Sequence, residues 1–244
     1  MLVTGASSGI GRAIALAAAR AGADVAITYR VNEKGAREVE AAIQSLGRRS
    51  ASLRLDLGDA ESVRVVGPAA RDALGRLDVW INNAGADILT GAGARLSPIE
   101  KIDTVLRVDL RGTMLASWQA AEMFGVQDEG GVIINMSWDH VTEGMAGLNP
   151  QIYGAAKGGV SAFSKCLARS VAPRVRVNIL APGWIETAFG AGANEGLRRA
   201  VADSTPLHRW GTPEDVAGAA VFLASPAAAF LTGQTIMVGG GVVM

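Results

Sequence analysis

Short apolar runs alternate with longer helix-spaced segments along the chain. Met1–Thr4, Asp24–Tyr29, Ser50–Leu55, Asp78–Asn82, Val132–Met136, Val175–Leu180 and Gln234–Val238 read as strands. Between them, Ile10–Ala21, Asn32–Leu46, Glu61–Leu74, Pro98–Gln127, Gln151–Ala172 and Pro213–Ala224 carry helical spacing, and Pro173 stops the fifth of these. The strands are apolar throughout rather than half polar, which implies a parallel sheet covered on both faces. Strict β/α alternation with right-handed crossovers then gives an α/β, doubly wound Rossmann fold of seven parallel strands. No linker divides the chain, so residues 1–244 are expected to form one domain. The Gly/Ala-rich stretch from Ala188 to Gly196 follows a strand's carboxyl end, where such sheets bind ligands. It is expected to belong to a mobile substrate loop near 187–207.

Composition narrows the function classes. The apolar fraction of 49% supplies a core, and 23 basic against 23 acidic residues leave no formal charge. That balance, with no basic run, argues against a nucleic-acid or acidic-membrane binder. No apolar run reaches 18 residues and no charged leader opens the chain, so a soluble, cytoplasmic protein is expected. Cys166 is the one cysteine, which excludes an internal disulfide; its helical setting suggests a small buried residue. With two histidines far apart, no metal site is expected.

Two constellations carry chemistry. Gly5, Gly9 and Gly11 punctuate Thr4-Gly5-Ala6-Ser7-Ser8-Gly9-Ile10-Gly11, between the first strand and first helix. Gly5 permits a tight turn, Gly9 a close approach of backbone to a pyrophosphate, and Gly11 close helix–strand packing. The helix start adds free N–H groups and a positive dipole end. This points to a dinucleotide site. Tyr153 and Lys157 stand one helical turn apart and share a face. A phenol is a poor acid or base near neutrality, and an adjacent ammonium favours phenolate. The pair is therefore an acid/base device if substrate reaches it.

The spacing G-x-x-x-G-x-G together with Tyr153-x-x-x-Lys157 resembles the short-chain dehydrogenase/reductase family. Asn82-Asn83-Ala84-Gly85, Pro182-Gly183-Trp184-Ile185-Glu186-Thr187 and the run from Arg209 to Gln234 resemble its further motifs, so the likeness covers essentially the whole chain. It is nearest to the 3-oxoacyl-ACP reductase and glucose dehydrogenase branches. The resemblance implies hydride transfer between a nicotinamide cofactor and a carbonyl or secondary alcohol. It implies that Ser7, Ser8, Gly9 and Ile10 line the phosphates and ribose, and that Asp56 and Leu57 flank the adenine. Asn83, Ala84 and Gly85 would pass beneath the ribose. Pro182, Gly183, Ile185 and Thr187 would hold the nicotinamide end, and Lys157 would bond its ribose. It also implies a small-molecule substrate and a homotetramer or homodimer paired through the two long helices. The second strand ends Ile27-Thr28-Tyr29-Arg30 with no carboxylate before Glu33. Arg30 can pair with a 2′-phosphate, which favours NADP(H), with NAD(H) the alternative.

The chain departs from the family pattern in three places. Asp109 stands where N-x-x-G has its Asn, which adds a carboxylate near Lys157. Asn135-Met136-Ser137-Trp138 puts Trp138 where a carbonyl-polarising Ser is expected, with Ser137 one residue early on a strand whose neighbours face opposite ways. A bulge would let Ser137 take the role; otherwise Asp139, His140 or Thr142 of the following loop would. Trp138, His140 and Trp184, with Phe189 and Leu197, are candidate pocket walls. Arg198 and Arg199 are candidate contacts for an acidic group, against a solvated role. Val238-Gly239-Gly240-Gly241 replaces V-D-G-G. With three residues before Thr4, either the first strand is short or the recorded start is trimmed. A rival to the enzyme reading is a catalytically weak or silent nucleotide-binding scaffold, and a third is an NAD-dependent sugar or polyol dehydrogenase.

Overall fold

Seven parallel strands hydrogen-bond in the order β3-β2-β1-β4-β5-β6-β7. They are β1 (Leu2–Val3), β2 (Val25–Tyr29), β3 (Ser50–Arg54), β4 (Val79–Asn82), β5 (Gly131–Met136), β6 (Val175–Pro182) and β7 (Thr235–Val238). The computed structural model describes residues 1–244, with the side chains of Phe189 and Ala191 outside the description. The expected pocket role of Phe189 thus lies outside the described residues. Helices α1 (Gly9–Arg20), α2 (Glu33–Ser45) and α9 (Pro213–Ala224) cover one face; α3 (Ala60–Leu74), α5 (Thr113–Gly125) and α6 (Leu148–Val171) cover the other.

Strand parity builds the two cores. Val3, Ile27, Ile81 and Ile134 point into one layer, and Leu2, Ala26, Trp80 and Ile133 into the other, all fully buried. Each fully buried large aliphatic side chain contributes about 1.5–3 kcal/mol, so both faces stabilise the sheet. Because every strand is parallel, all carboxyl ends lie on one edge. The strand order reverses between β1 and β4, which opens a crevice there.

Three expectations change. The segment expected as one helix from Pro98 is α4 (Pro98–Val105), a π-helical stretch Leu106–Gly112, and α5. Ser97 and Glu100 form a capping box that starts it. Residues 187–207, expected as a loop, contain α7 (Ala188–Ala191) and α8 (Glu195–Ser204), the latter capped by Asn194 accepting from Leu197 N at 2.9 Å. Cys166 is exposed rather than buried, because it sits on the outer face of α6. The first strand is short, as one of the two readings had it, with two residues. No described helix is long and apolar enough to cross a membrane.

Gly11 fixes the entry of α1. A Cβ there would lie 2.5 Å from both Asn83 Nδ2 and Gly5 O. Gly11→Ala should cost about 1–3 kcal/mol through overpacking and weaken nucleotide binding as the loop shifts. Thermal unfolding and a nucleotide titration check this; unchanged melting and affinity would refute the packing argument.

Candidate active site

The candidate residues converge on the sheet's carboxyl edge. The glycine loop sits between β1 and α1 with Gly5 and Gly9 at φ +64° and +54°, a region that excludes most side chains. Thr28 Oγ1 accepts from Gly5 N at 3.1 Å, and Thr4 Oγ1 accepts from Asn83 N and Ala84 N, both at 3.0 Å. Asn83 Nδ2 donates to Thr4 O at 2.9 Å and Gly5 O at 3.2 Å. These bonds hold the loop's conformation from within the protein. Ser8 is the N-cap of α1, and its side chain makes no cap bond. The first-turn N–H groups of α1 therefore remain available to phosphate oxygens. These features fit a dinucleotide.

The flanks are mixed. Arg30 is exposed at the end of β2 and forms no ion pair among the described residues. Asp56 Oδ1 accepts from Gly58 N at 2.8 Å, which shapes the turn after β3. Leu57 does not flank an open surface: its side chain is 3% exposed and packs in the core against the α5 side, so only its backbone can reach a nucleotide. At the other end, Gly183 N donates to Val238 O at 3.1 Å, and buried Ile185 bridges to Gly211. Pro182 ends β6. The Thr187 methyl would lie 3.8 Å from a Cβ on Gly9, so the segment after β6 reaches back over the glycine loop.

Tyr153 and Lys157 share one face of α6, with Nζ 5.3 Å from the phenol ring centroid. Lys157 Nζ lies 3.1 Å from Asp109 Oδ1 and donates to Met136 O at 3.3 Å. Asp109, carried by the π-helical stretch, accepts from Ala86 N at 2.9 Å through Oδ2. Gly85 must be small here, since its Cβ would come within 2.7 Å of Asp109 Oδ1. Burial pushes the Tyr153 phenol above its ordinary value; Lys157 pulls it down, and Asp109 pushes it up again. Burial lowers the Lys157 ammonium, but Tyr153 and Asp109 outweigh it and hold it above its ordinary value. Near neutrality the pair is therefore a phenol beside a cation, loaded with a transferable proton.

Ser137 is not in this group. Its Oγ donates to Lys157 O at 2.9 Å and bonds Ser161 Oγ at 2.6 Å, and the residue is 4% exposed. No bulge redirects it; it ties β5 to α6. Trp138 instead faces the site and meets Tyr153 edge-on at 5.6 Å between centroids. His140 stacks on Trp138 at 5.1 Å. Trp184 packs edge-on against Trp210 at 5.5 Å. Arg198 is occupied, donating to Gly190 O at 2.7 Å and pairing with Glu186, while Arg199 is exposed. A cavity of about 210 Å³ opens between Trp184, Leu207, Arg209, Asp215 and Gly239. A larger one, about 410 Å³, lies at the opposite edge by Met1, Asp24 and Arg76, away from every candidate residue. Asn82, Asn135, Ser117 and Ser164 form a buried hydrogen-bonded network; the one signal of it in the sequence is an Asn amid an apolar strand. Among the described residues no cluster suits a metal ion.

Comparisons agree with this geometry. The family model for enoyl-(acyl carrier protein) reductase matches residues 5–243. The chain is 35% identical over 254 aligned positions to 3beta-hydroxysteroid dehydrogenase 1 of Eggerthella lenta, covering 100% of this chain and 93% of the relative. It is 38% identical to the 3-oxoacyl-[acyl-carrier-protein] reductase FabG of Vibrio harveyi, over 100% of this chain and 96% of that one. A short-chain dehydrogenase from Burkholderia cenocepacia J2315, solved in complex with NADP, superposes with a TM-score of 0.88 at 34% identity, covering 99% of this chain and 96% of that chain. With its glycine loop, Tyr153/Lys157 pair and full-length likeness, the chain belongs to the short-chain dehydrogenase/reductase family of oxidoreductases.

Proposed function

We propose that the protein is an NADP(H)-dependent reductase of a ketone or 3-oxoacyl-type carbonyl, running in reverse on the secondary alcohol. The observation that carries this is the half-buried Tyr153 held protonated beside a Lys157 cation at the mouth of a dinucleotide crevice. A nicotinamide bound there supplies or takes up the hydride at carbon. Tyr153 gives its proton to the carbonyl oxygen in reduction and takes it back in oxidation. Lys157 keeps the phenol in place and offers its remaining N–H to a ribose hydroxyl. Arg30 meets a 2′-phosphate, Ser7 to Gly11 hold the pyrophosphate, and Ile185 and Thr187 hold the nicotinamide end. Trp138 and Trp184 give the substrate an apolar wall. The named activities of the relatives, a 3-oxoacyl reductase and a hydroxysteroid dehydrogenase, are both of this class. Exposed Ile99, Ile102, Leu106 and Trp118 on α4, the π-helical stretch and α5 suit pairing with a second copy. A catalytically weak nucleotide-binding scaffold is the second reading, favoured by Ser137 being turned into the α6 packing.

Tyr153→Phe should lower kcat for NADPH-dependent ketone reduction by about 10²–10⁴-fold, the scale of a lost general acid, while leaving the NADPH Kd unchanged. Turnover equal to wild type would sink the mechanism; no turnover by wild type on ketones, quinones or 3-oxoacyl thioesters would favour the scaffold. Arg30→Ala should weaken NADPH binding by about 10–100-fold, as expected for a lost charge-assisted bond, and spare NADH. Equal losses for both cofactors would refute the 2′-phosphate role. In Asp109→Asn the carboxylate no longer pushes the phenol up or offsets Lys157. The Tyr153 pKa should therefore fall, and the alkaline loss of reductase activity should move to lower pH by about 1 unit or more. A pH–rate profile that stays in place would contradict the coupling.

A further inference from the structure

Beyond β5 the chain makes a single 3-10 turn, Asp139–Val141, that sets a carboxylate and an imidazole side by side. Asp139 is fully buried, and its Oδ1 lies 2.6 Å from His140 Nδ1. The other oxygen sits in a socket cut by glycines from two further strand ends. A Cβ on either Gly183 or Gly239 would come within 2.3 Å of Asp139 Oδ2. That oxygen has no hydrogen-bond partner among the described residues. A carboxylate so placed costs several kcal/mol unless it is paired or protonated. Burial pushes its pKa up against the pull of His140. Three separate loops are therefore shaped to hold this one side chain against one histidine.

The imidazole is fixed on a second side as well. Its ring stacks on Trp138 with an interplanar angle of 22°, and Trp138 in turn meets the Tyr153 ring at 63°. Nδ1 faces Asp139, while Nε2 has no partner among the described residues. The ring cannot turn without losing both contacts. Trp138 thus links the imidazole and the Tyr153 ring in one aromatic group.

We propose that His140, held by Asp139, donates a hydrogen bond to the substrate oxygen beside Tyr153, in the role that Ser137 leaves unfilled. This rests on the reductase reading. Away from water, a carboxylate and an imidazole are stable as a net-neutral pair. Whether the shared proton sits on Asp139 or on His140, Nε2 then carries a hydrogen. During reduction, hydride from the reduced nicotinamide adds to the carbonyl carbon and the C=O π pair moves to oxygen. Tyr153 gives its proton to that oxygen, and His140 keeps its own. Nothing beyond the reduced cofactor is consumed. Asp139 does not touch the substrate; it sets the ring's orientation and proton. Trp138, which stacks on the ring, also meets Tyr153, and Tyr153 lies beside Lys157, which pairs with Asp109. Arg209 and Asp215, which line the cavity together with Gly239, pair with each other.

Two measurements test this on the full chain with NADPH bound. The sequence has two histidines, so ring ¹⁵N NMR is assigned by comparison with His140→Phe. At pH 7 Nε2 of His140 should be protonated in wild type. It should be bare in Asp139→Asn, whose amide oxygen accepts from Nδ1–H. In steady-state kinetics, His140→Phe should lower kcat by about 10²-fold on a ketone that wild type reduces. The loss should be only a few-fold on its α-trifluoromethyl analogue, whose carbon needs less polarisation. Asp139→Asn should follow the same pattern, with NADPH Kd unchanged for both variants. A bare Nε2 in wild type, equal losses on the two ketones, or full rates in His140→Phe would overturn the inference alone. Wild-type protein that binds NADPH and reduces no carbonyl would overturn the reductase reading and this inference with it.

Discussion

A lysine and an aspartate of opposite charge, 3.1 Å apart and almost wholly out of water, hold the working edge of the sheet together. Four pieces of chain meet at this pair. Asp109 comes from the π-helical stretch and takes the N–H of Ala86 after β4; Lys157 comes from α6 and reaches the last carbonyl of β5 at Met136. Removing one partner from such a pair costs about 3–5 kcal/mol, because the other charge is left buried alone. The π-helical stretch belongs to this constraint. An extra residue in a helical turn rotates the following side chains, and Asp109 falls within that stretch. Gly85 belongs to it too, because any Cβ there would collide with the carboxylate.

Behind the ion pair lies a second polar layer that contains no charge. Asn82 and Asn135 stand opposite each other on β4 and β5. Asn82 donates to Asn135 Oδ1 at 2.8 Å and to Ser117 Oγ at 3.0 Å, and Asn135 donates to Ser164 Oγ at 2.9 Å. Trp80 closes the group by donating to Asn82 Oδ1 at 2.8 Å. These bonds clamp α5 and α6 to the middle strands, where an unpaired amide would cost about 1–3 kcal/mol. Ser137 is the next rung of the same ladder, on the same face as Ile133 and Asn135. Strand parity therefore commits Ser137 to packing and turns Trp138 toward the site.

The alternation of apolar runs made the parallel sheet legible, because both faces had to be buried and the sequence shows apolar residues at both parities. The glycine loop and the Tyr153/Lys157 spacing were legible for a different reason: each is a local device within a few consecutive residues. Parity alone argued that Ser137 was misplaced, and the structure agrees with parity over a rescuing bulge. The break in the long helix was hidden, since a π-helical stretch leaves the apolar positions of α4 and α5 close to helical spacing. The socket around Asp139 was also hidden. It depends on Gly183 and Gly239, which are distant in sequence and meet only because β5, β6 and β7 end side by side.

Charge bookkeeping across the edge explains why the altered positions remain compatible with one site. Asp109 would weaken the acid/base pair if it stood alone against Lys157, since it offsets the field that makes a phenol acidic. The consequence is a Tyr153 that keeps its proton more firmly. A phenol that holds its proton more firmly is a weaker acid, and its phenolate is a stronger base. Such a residue needs the substrate oxygen to become strongly basic before transfer, which places more of the demand on whatever stabilises charge at that oxygen. In the proposed reduction, Trp138, edge-on to Tyr153, would offer an apolar wall that excludes the water otherwise sharing the charge. On the proposed reduction, the extra carboxylate beside Lys157 and the aromatic wall beside Tyr153 are therefore linked: each would make proton delivery depend on a dry, well-aimed contact at the oxygen rather than on an acidified phenol.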